Sequence, residues 1–171
     1  MYSETAGQTL TMDYYPAAGR GPHPAVIIIH GGGYTGGTSK SRSEACCSDF
    51  LAPAGYAVFS INYQLAPAFP FSAMIADVQR SVRFIKYNAS RRGVDPRHIA
   101  LVGGSAGGYL SNMTGLLPAT GNPHSSDPVD SEDASVQAVV TLYGVSDLVS
   151  MHDDELVRDN HLLGPISESS F

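Results

Sequence analysis

The chain has 171 residues, which fits a single domain, since globular domains usually contain roughly 100 to 200 residues. Apolar residues make up 43% and charged residues 15% of the sequence, so the chain can bury a core and does not have the composition of a disordered segment. The net charge of −6 has the wrong sign for a phosphate-binding surface, which argues against nucleic acid as a partner.

The sequence carries no sign of a membrane span or a disulfide framework. The longest aliphatic run, 25–29, is far too short to cross a bilayer, and residues 1–15 lack the pattern of a signal peptide. Cys46 and Cys47 are adjacent, a spacing that disfavours a disulfide between them. The run His152-Asp153-Asp154-Glu155 is a poor metal site, because successive helical side chains diverge. We therefore expect a cytoplasmic protein with no membrane contact, no metal and no cofactor.

Strands and helices alternate along the first part of the sequence. Alternation between Thr9 and Tyr14 predicts an edge strand, and the β-branched run 25–29 predicts a central strand. We expect a helix in the polar segment before Pro53, then a strand over 56–61 and a proline-rich loop over 62–70. Apolar residues at three- and four-residue steps predict a helix over 71–91 that Gly93 ends.

The second part continues the same alternation. The pattern predicts a strand over 99–102, a tight turn over 103–108, a helix over 109–117 and a loop over 119–134. A further strand is predicted over 136–143 and a helix over 153–163. This order of elements predicts an α/β fold in which helices cover both faces of a mostly parallel sheet.

The strongest motif is Gly103-Gly104-Ser105-Ala106-Gly107, a G-x-S-x-G sequence between a predicted strand and helix. A serine hydroxyl is a weak nucleophile, and α/β-hydrolases hold it on a sharp turn that exposes it above the sheet. The helix start behind it also favours negative charge. The motif predicts Ser105 as a catalytic nucleophile, and an ordinary glycine turn is the alternative.

A glycine loop, His30-Gly31-Gly32-Gly33-Tyr34, follows the predicted central strand. Acyl transfer builds negative charge on a carbonyl oxygen, and free backbone N–H groups can stabilise that charge. We predict that Gly32, Gly33 and Ala106 supply the donors of such an oxyanion hole. His30 is predicted to anchor the loop by hydrogen bonds and not to act as a base.

Four segments resemble, in order and spacing, α/β-hydrolase esterases of the hormone-sensitive-lipase-like group, especially microbial esterases that deacetylate xylan or cleave feruloyl esters. These segments are His30–Tyr34, Tyr63–Pro67 with Phe69–Phe71, Val94–Ile99 and Gly103–Gly108. The resemblance implies an α/β-hydrolase fold and a serine carboxylesterase that hydrolyses small uncharged esters, with a short acyl group such as acetyl, or a feruloyl group, through an acyl-enzyme on Ser105. Gln64 stands where the family usually has arginine, and Gly104 where many members have aspartate or serine.

The triad aspartate and histidine of this family follow the nucleophile on later loops, and the sequence reaches Phe171 before either. The resemblance therefore implies that residues 1–171 form the N-terminal portion of the hydrolase domain, with the C-terminal strands and helices missing. His152 and His161 are candidates for a substitute base, although each is more readily explained as part of a surface helix.

Other interpretations stay open. Gly31-x-Gly33-x-x-Gly36 matches a dinucleotide-binding motif, but the loop continues past Gly36, and Asn62 stands where that motif has an acidic residue. A noncatalytic hydrolase fragment, which keeps Ser105 but cannot activate it, is the other alternative. Because the strand over 136–143 would form an apolar sheet edge, we expect either a homo-oligomer or a complementing C-terminal segment.

We predict that the 171-residue chain alone turns over simple esters only weakly, because its serine lacks the base that takes its proton. Steady-state hydrolysis of a short-chain ester by the purified chain measures this. Turnover typical of a competent esterase, abolished by His152→Ala or His161→Ala, would show instead that a local histidine completes the site.

Overall fold

The computed structural model describes residues 1–5, 7–42 and 46–148. A short antiparallel hairpin at the N-terminus, formed by β1 (Ser3–Thr5) and β2 (Gln8–Leu10), precedes the main sheet. The main sheet contains five strands, which are β3 (Met12–Tyr15), β4 (His23–Ile29), β5 (Ala57–Ile61), β6 (Val94–Gly104) and β7 (Ala138–Leu142). Their spatial order is β3-β5-β4-β6-β7.

The sheet is parallel except at one edge. Strand β4 lies in the middle and pairs in parallel with β5 and β6, while β6 pairs in parallel with β7. Strand β3 is antiparallel to β5 and forms the predicted edge strand. Since parallel strands all end on the same side, the loops after β4, β5, β6 and β7 lie along one edge of the sheet.

Four α-helices flank the sheet within the described residues. They are α1 (Ser48–Leu51), α2 (Phe71–Tyr87), α3 (Ala89–Arg92) and α4 (Ala106–Leu116), and a 3-10 turn covers Pro128–Ser131. Ile27 and Ile29 of β4 pack into the larger core with α2 and α4, whereas Val26 and Ile28 face a smaller cluster that includes Leu51 of α1. Both faces of the sheet are therefore covered, which confirms the predicted α/β architecture.

Two helix boundaries differ from the prediction. The helix predicted over 71–91 is divided at Asn88, whose side-chain amide donates to the Phe84 carbonyl at 2.8 Å and ends α2. Gly93 then ends α3 in the left-handed conformation, with φ of 64°, as its position predicted. Helix α4 begins at Ala106, directly after Ser105, and not at Tyr109.

Strand lengths also differ from the prediction. Strand β6 extends over Val94–Gly104, because it pairs with β4 both before and after an irregularity between His23 and Ala25. Strand β7 is shorter than the predicted 136–143. The predicted helix over 153–163 lies outside the described residues.

Strand β7 is an edge within the described part of the chain, since no described strand pairs with its outer side. Its residues alternate between exposed and half-buried, and Thr141 packs toward α4, where its hydroxyl donates to the Asn112 side-chain oxygen at 2.6 Å. The opposite face carries Val140 and Leu142, which are 46% and 37% exposed. An apolar strand with an open side is prone to pair with another strand.

We expect the purified chain to self-associate through β7, and Val140→Lys to shift it toward the monomer because a charge on an edge strand discourages pairing. Sedimentation over a concentration series measures the shift. Leu116→Lys is the matched control, since Leu116 is exposed at the end of α4 and lies outside the strand. A wild-type chain that stays monomeric, with protected amides over 138–142, would show that another element covers the edge.

Candidate active site

Ser105 occupies the sharp turn between β6 and α4. Its backbone has φ of 53° and ψ of −122°, a conformation that residues with a side chain rarely adopt. Such a residue costs about 1 to 3 kcal/mol and persists only where the surrounding structure holds it. Here the Ser105 N–H donates to the Leu142 carbonyl at 3.0 Å, and the Tyr109 N–H donates to the Ser105 carbonyl at 3.2 Å. The end of β7 and the first turn of α4 therefore fix the turn from both sides.

The glycines around Ser105 allow backbone segments to touch. A Cβ atom at Gly103 would collide with the Gly107 carbonyl, and one at Gly107 would collide with the carbonyls of Ile29 and His30. The first turn of α4 thus packs directly against the end of β4. The motif needs glycine at these positions because only a residue without a side chain permits this approach.

The glycine loop starts where β4 ends, beside the end of β6. Ile29 is the register partner of Gly103, so the loop begins next to the Ser105 turn. Gly32 and Gly33 have φ of 122° and 58°, and the Gly32 carbonyl accepts hydrogen bonds from Thr35 and Gly36. These turns leave the predicted donors Gly32, Gly33 and Ala106 at the carboxyl ends of two adjacent strands.

The predicted oxyanion hole depends on the backbone N–H groups of its three donor residues. Ala106 is the first residue of α4, and first-turn N–H groups have no partner inside a helix. Within the described residues, the N–H groups of Gly32 and Gly33 donate to no backbone carbonyl. The α4 N-terminus adds a partial positive charge of the helix dipole at the same place. The arrangement suits an oxygen that acquires negative charge.

His30 is buried at the start of the glycine loop and anchors it by hydrogen bonding, in agreement with the prediction. It is 2% exposed, its Nδ1 lies 2.7 Å from the Gly31 carbonyl, and its ring stacks on Tyr63 with centroids 4.3 Å apart. The Tyr63 hydroxyl donates to the His30 carbonyl at 2.8 Å. A ring enclosed in this way is suited to holding the loop.

Aromatic side chains connect the glycine loop to α4, a feature that the sequence analysis missed. Tyr34 packs edge-on against Phe71 with centroids 5.7 Å apart, and Phe71 lies 5.4 Å from Tyr109. Burial and then the nearby Tyr109 raise the pKa of Tyr34 well above its usual value, so its hydroxyl stays protonated. The first residue of α2 therefore lies between the two segments of the site.

A buried carboxylate, Asp77, is the second feature that the sequence analysis missed. It is 4% exposed on α2 and accepts a hydrogen bond from the Gln64 N–H at 2.9 Å. Burial raises the pKa of Asp77 to about 6, and the bond from Gln64 opposes that shift. The sequence pattern does indicate that Asp77 is buried, because residue 77 falls on the apolar face of the helix that Met74, Val78 and Val82 define.

Some predicted features fall outside the site. His152 and His161 lie beyond the described residues. Residues 31–41 form turns, so the helix that a dinucleotide-binding motif requires does not open after β4. Across residues 1–5, 7–42 and 46–148, no three His, Cys, Asp or Glu side chains group as metal ligands do. No helix in those same ranges has the length and apolarity of a membrane span.

Comparisons with known proteins identify relatives among esterases. LipM of Mycobacterium tuberculosis, a probable carboxylic ester hydrolase, is 35% identical over 133 residues, which cover 78% of this chain and 30% of LipM. Esterase LipC of the same organism is 34% identical over 137 residues, which cover 80% of this chain and 34% of LipC.

Solved structures share the fold. An acetyl ester-xyloside bifunctional hydrolase from Caldicellulosiruptor lactoaceticus matches with a TM-score of 0.75 and 26% identity, over 85% of this chain and 57% of its own. Esterase 2 of Thermogutta terrifontis matches with a TM-score of 0.72 and 23% identity, over 84% of this chain and 51% of its own, which is a likeness of fold.

The parallel sheet, the strand-to-helix turn at Ser105 and the glycine loop define an α/β-hydrolase core of the esterase type. The model of the BD-FAE family matches residues 12–166, and the chain belongs to that family. This confirms the resemblance found in the sequence. The chain spans about a third of the length of the curated relatives that it matches and a little over half of the solved structures.

We expect Gly107→Ala to lower the free energy of unfolding by about 1 to 3 kcal/mol, because the added Cβ atom overpacks the contact between α4 and the end of β4. Urea denaturation measures the change. Gly36→Ala is the matched control in the glycine loop, since its Cβ atom would lie 3.9 Å from the Gly32 carbonyl and should cost within about 0.5 kcal/mol. Equal losses in both variants would contradict the close backbone contact.

Proposed function

We propose that the protein is a serine carboxylesterase in which Ser105 is the nucleophile and Gly32, Gly33 and Ala106 form the oxyanion hole. The observation that carries the proposal is the strained Ser105 turn beside a glycine loop, with both at the carboxyl ends of the adjacent strands β4 and β6. The family supports it, because the relatives LipM and LipC are described as a probable carboxylic ester hydrolase and an esterase.

The proposed reaction has two halves. The Ser105 Oγ attacks the ester carbonyl carbon while a base takes the hydroxyl proton, and the carbonyl oxygen becomes an oxyanion that the three N–H groups stabilise. The C–O bond to the alcohol then breaks, the alcohol leaves with that proton, and an acyl-enzyme remains on Ser105. Water attacks the acyl carbon in the second half and releases the acid. Neither the base nor the carboxylate that orients it is assigned to a residue of the described ranges.

The residues of the site favour an uncharged ester. The segments 30–37 and 103–109 contain no Asp, Glu, Lys or Arg, and each contributes one tyrosine ring that packs against Phe71. An apolar surface of this kind binds an uncharged group at lower desolvation cost than a charged one. Two relatives support a short acyl group: one is named an ethyl acetate hydrolase of Pseudomonas putida, and the other is the acetyl ester-xyloside hydrolase. Acetyl esters are therefore the proposed substrates, and feruloyl esters are the alternative that the resemblance found in the sequence implies.

A noncatalytic hydrolase fragment is the second candidate. It is favoured by the share of its curated relatives that the chain spans, which is about a third of their length. In that case residues 1–171 need a complementing segment, and the apolar edge strand β7 is the surface we propose for it or for a second copy of the chain. A cytoplasmic location also stays a prediction.

We expect a fluorophosphonate to label Ser105 in any form of this protein that carries a complete triad, because the activated hydroxyl oxygen displaces fluoride from phosphorus and the resulting adduct mimics the tetrahedral intermediate. Peptide mapping by mass spectrometry identifies the modified residue. Ser105→Ala should abolish both the label and ester hydrolysis.

Ser111→Ala is the matched control for that experiment, because Ser111 lies on α4, the helix that follows Ser105, but is fully buried and donates to the Gly107 carbonyl at 2.7 Å. A folded Ser111→Ala protein should keep the label on Ser105. A label on another serine, or full activity of Ser105→Ala, would remove the assignment.

A further inference from the structure

One short segment holds the glycine loop at both of its ends. Residues 63–66 follow β5, and the Tyr63 hydroxyl donates to the His30 carbonyl at 2.8 Å, at the start of the loop. The Ala66 N–H donates to the Tyr34 carbonyl at 2.9 Å, at the end of the loop. Because the two contacts bracket residues 31–33, the position of this clamp segment (63–66) sets the position of the loop.

Asp77 holds the clamp segment at its middle. The Gln64 N–H lies between the two contacts and donates to the Asp77 Oδ2 at 2.9 Å. Both residues are nearly enclosed, with 3% of Gln64 and 4% of Asp77 exposed. A buried N–H that loses its partner carries a penalty of about 1 to 3 kcal/mol, so a shift of the clamp segment away from Asp77 is energetically unfavourable.

The neighbours of Asp77 do not neutralise its charge. Arg80 forms salt bridges with Asp127 and Asp130, with N–O distances of 2.5 Å in both. No basic side chain in the described residues forms an ion pair with Asp77. The charged and titratable groups that share its 330 Å³ cavity or act on it electrostatically are Tyr2, Glu4, Arg80, Arg83, Asp127 and Asp130.

We propose that Asp77 is a positioning residue that fixes the oxyanion-hole glycines Gly32 and Gly33 through the clamp segment, and that its ionisation tightens this hold. The inference rests on the proposed function for the role of those glycines, but the contacts that carry it do not. An ionised carboxylate accepts a shorter and roughly twofold stronger hydrogen bond than a neutral group. Protonation of Asp77 therefore loosens Gln64, and the change reaches the loop through Tyr63 and Ala66.

The test is a pH titration of the isotopically labelled 171-residue chain by NMR between about pH 4 and 8. The Asp77 side-chain carboxyl signal gives the midpoint of its ionisation, which we expect at about pH 6 because burial raises its pKa. The amide signals of Gln64, Gly32 and Gly33 should shift with that same midpoint. His30 touches the loop and is followed separately through its ring signals.

Two variants separate the proposal from a general pH effect. Asp77→Asn keeps an oxygen acceptor for Gln64 but cannot ionise, so the shared titration of Gly32 and Gly33 should disappear. Asp95→Asn is the matched control and should leave it unchanged, because Asp95 lies at the amino end of β6 and pairs with Arg97.

The proposal is overturned if the Gly32 and Gly33 amide signals titrate with the His30 ring, or if they do not titrate while the Gln64 amide follows Asp77. It is also overturned if the glycine amides titrate unchanged in Asp77→Asn. If Asp77→Asn does not fold, the titration of the wild-type chain decides the question. The midpoint of the glycine amides is then compared with the midpoints of Asp77 and of the His30 ring, which are both observed directly. No ester turnover is measured, so a failure here is distinct from a failure of the esterase proposal.

Discussion

The contact between Gly107 and the carbonyl groups at the end of β4 determines the geometry of the whole site. It brings the first turn of α4 against the point where β4 becomes the glycine loop, which leaves no room for a side chain. The turn that makes this approach possible forces Ser105 into a strained backbone conformation with positive φ. Backbone atoms cannot adjust as side chains do, so the separation between the serine and the loop is fixed by the fold itself.

The parallel sheet supplies the second constraint. Its register places Ile29 beside Gly103 and Gly104 beside Leu142, so three strands end at one place. The Leu142 carbonyl then accepts the Ser105 N–H. Strand β7, at one edge of the described sheet, is thus part of the support for the serine turn. A change in the pairing of β7 reaches the site through this single hydrogen bond.

The fold could be predicted from the sequence where one local cause decides the outcome. The β-branched run predicted the central strand β4, and the glycines predicted a turn at Ser105, although that turn is shorter than the predicted 103–108. The break at Asn88 was missed because it depends on a side-chain hydrogen bond to Phe84, which periodicity does not encode. Asp77 and Phe71 were missed because their roles depend on segments that only the folded chain brings together.

The most direct test of the account is a crystal structure of the phosphonylated protein in a form with a complete triad. The account predicts phosphorus bonded to the Ser105 Oγ. It also predicts a phosphoryl oxygen about 2.7 to 3.1 Å from the backbone nitrogens of Gly32, Gly33 and Ala106. A phosphonyl group on Ser105 whose oxygen points away from these three nitrogens, or a group on another residue, would contradict it.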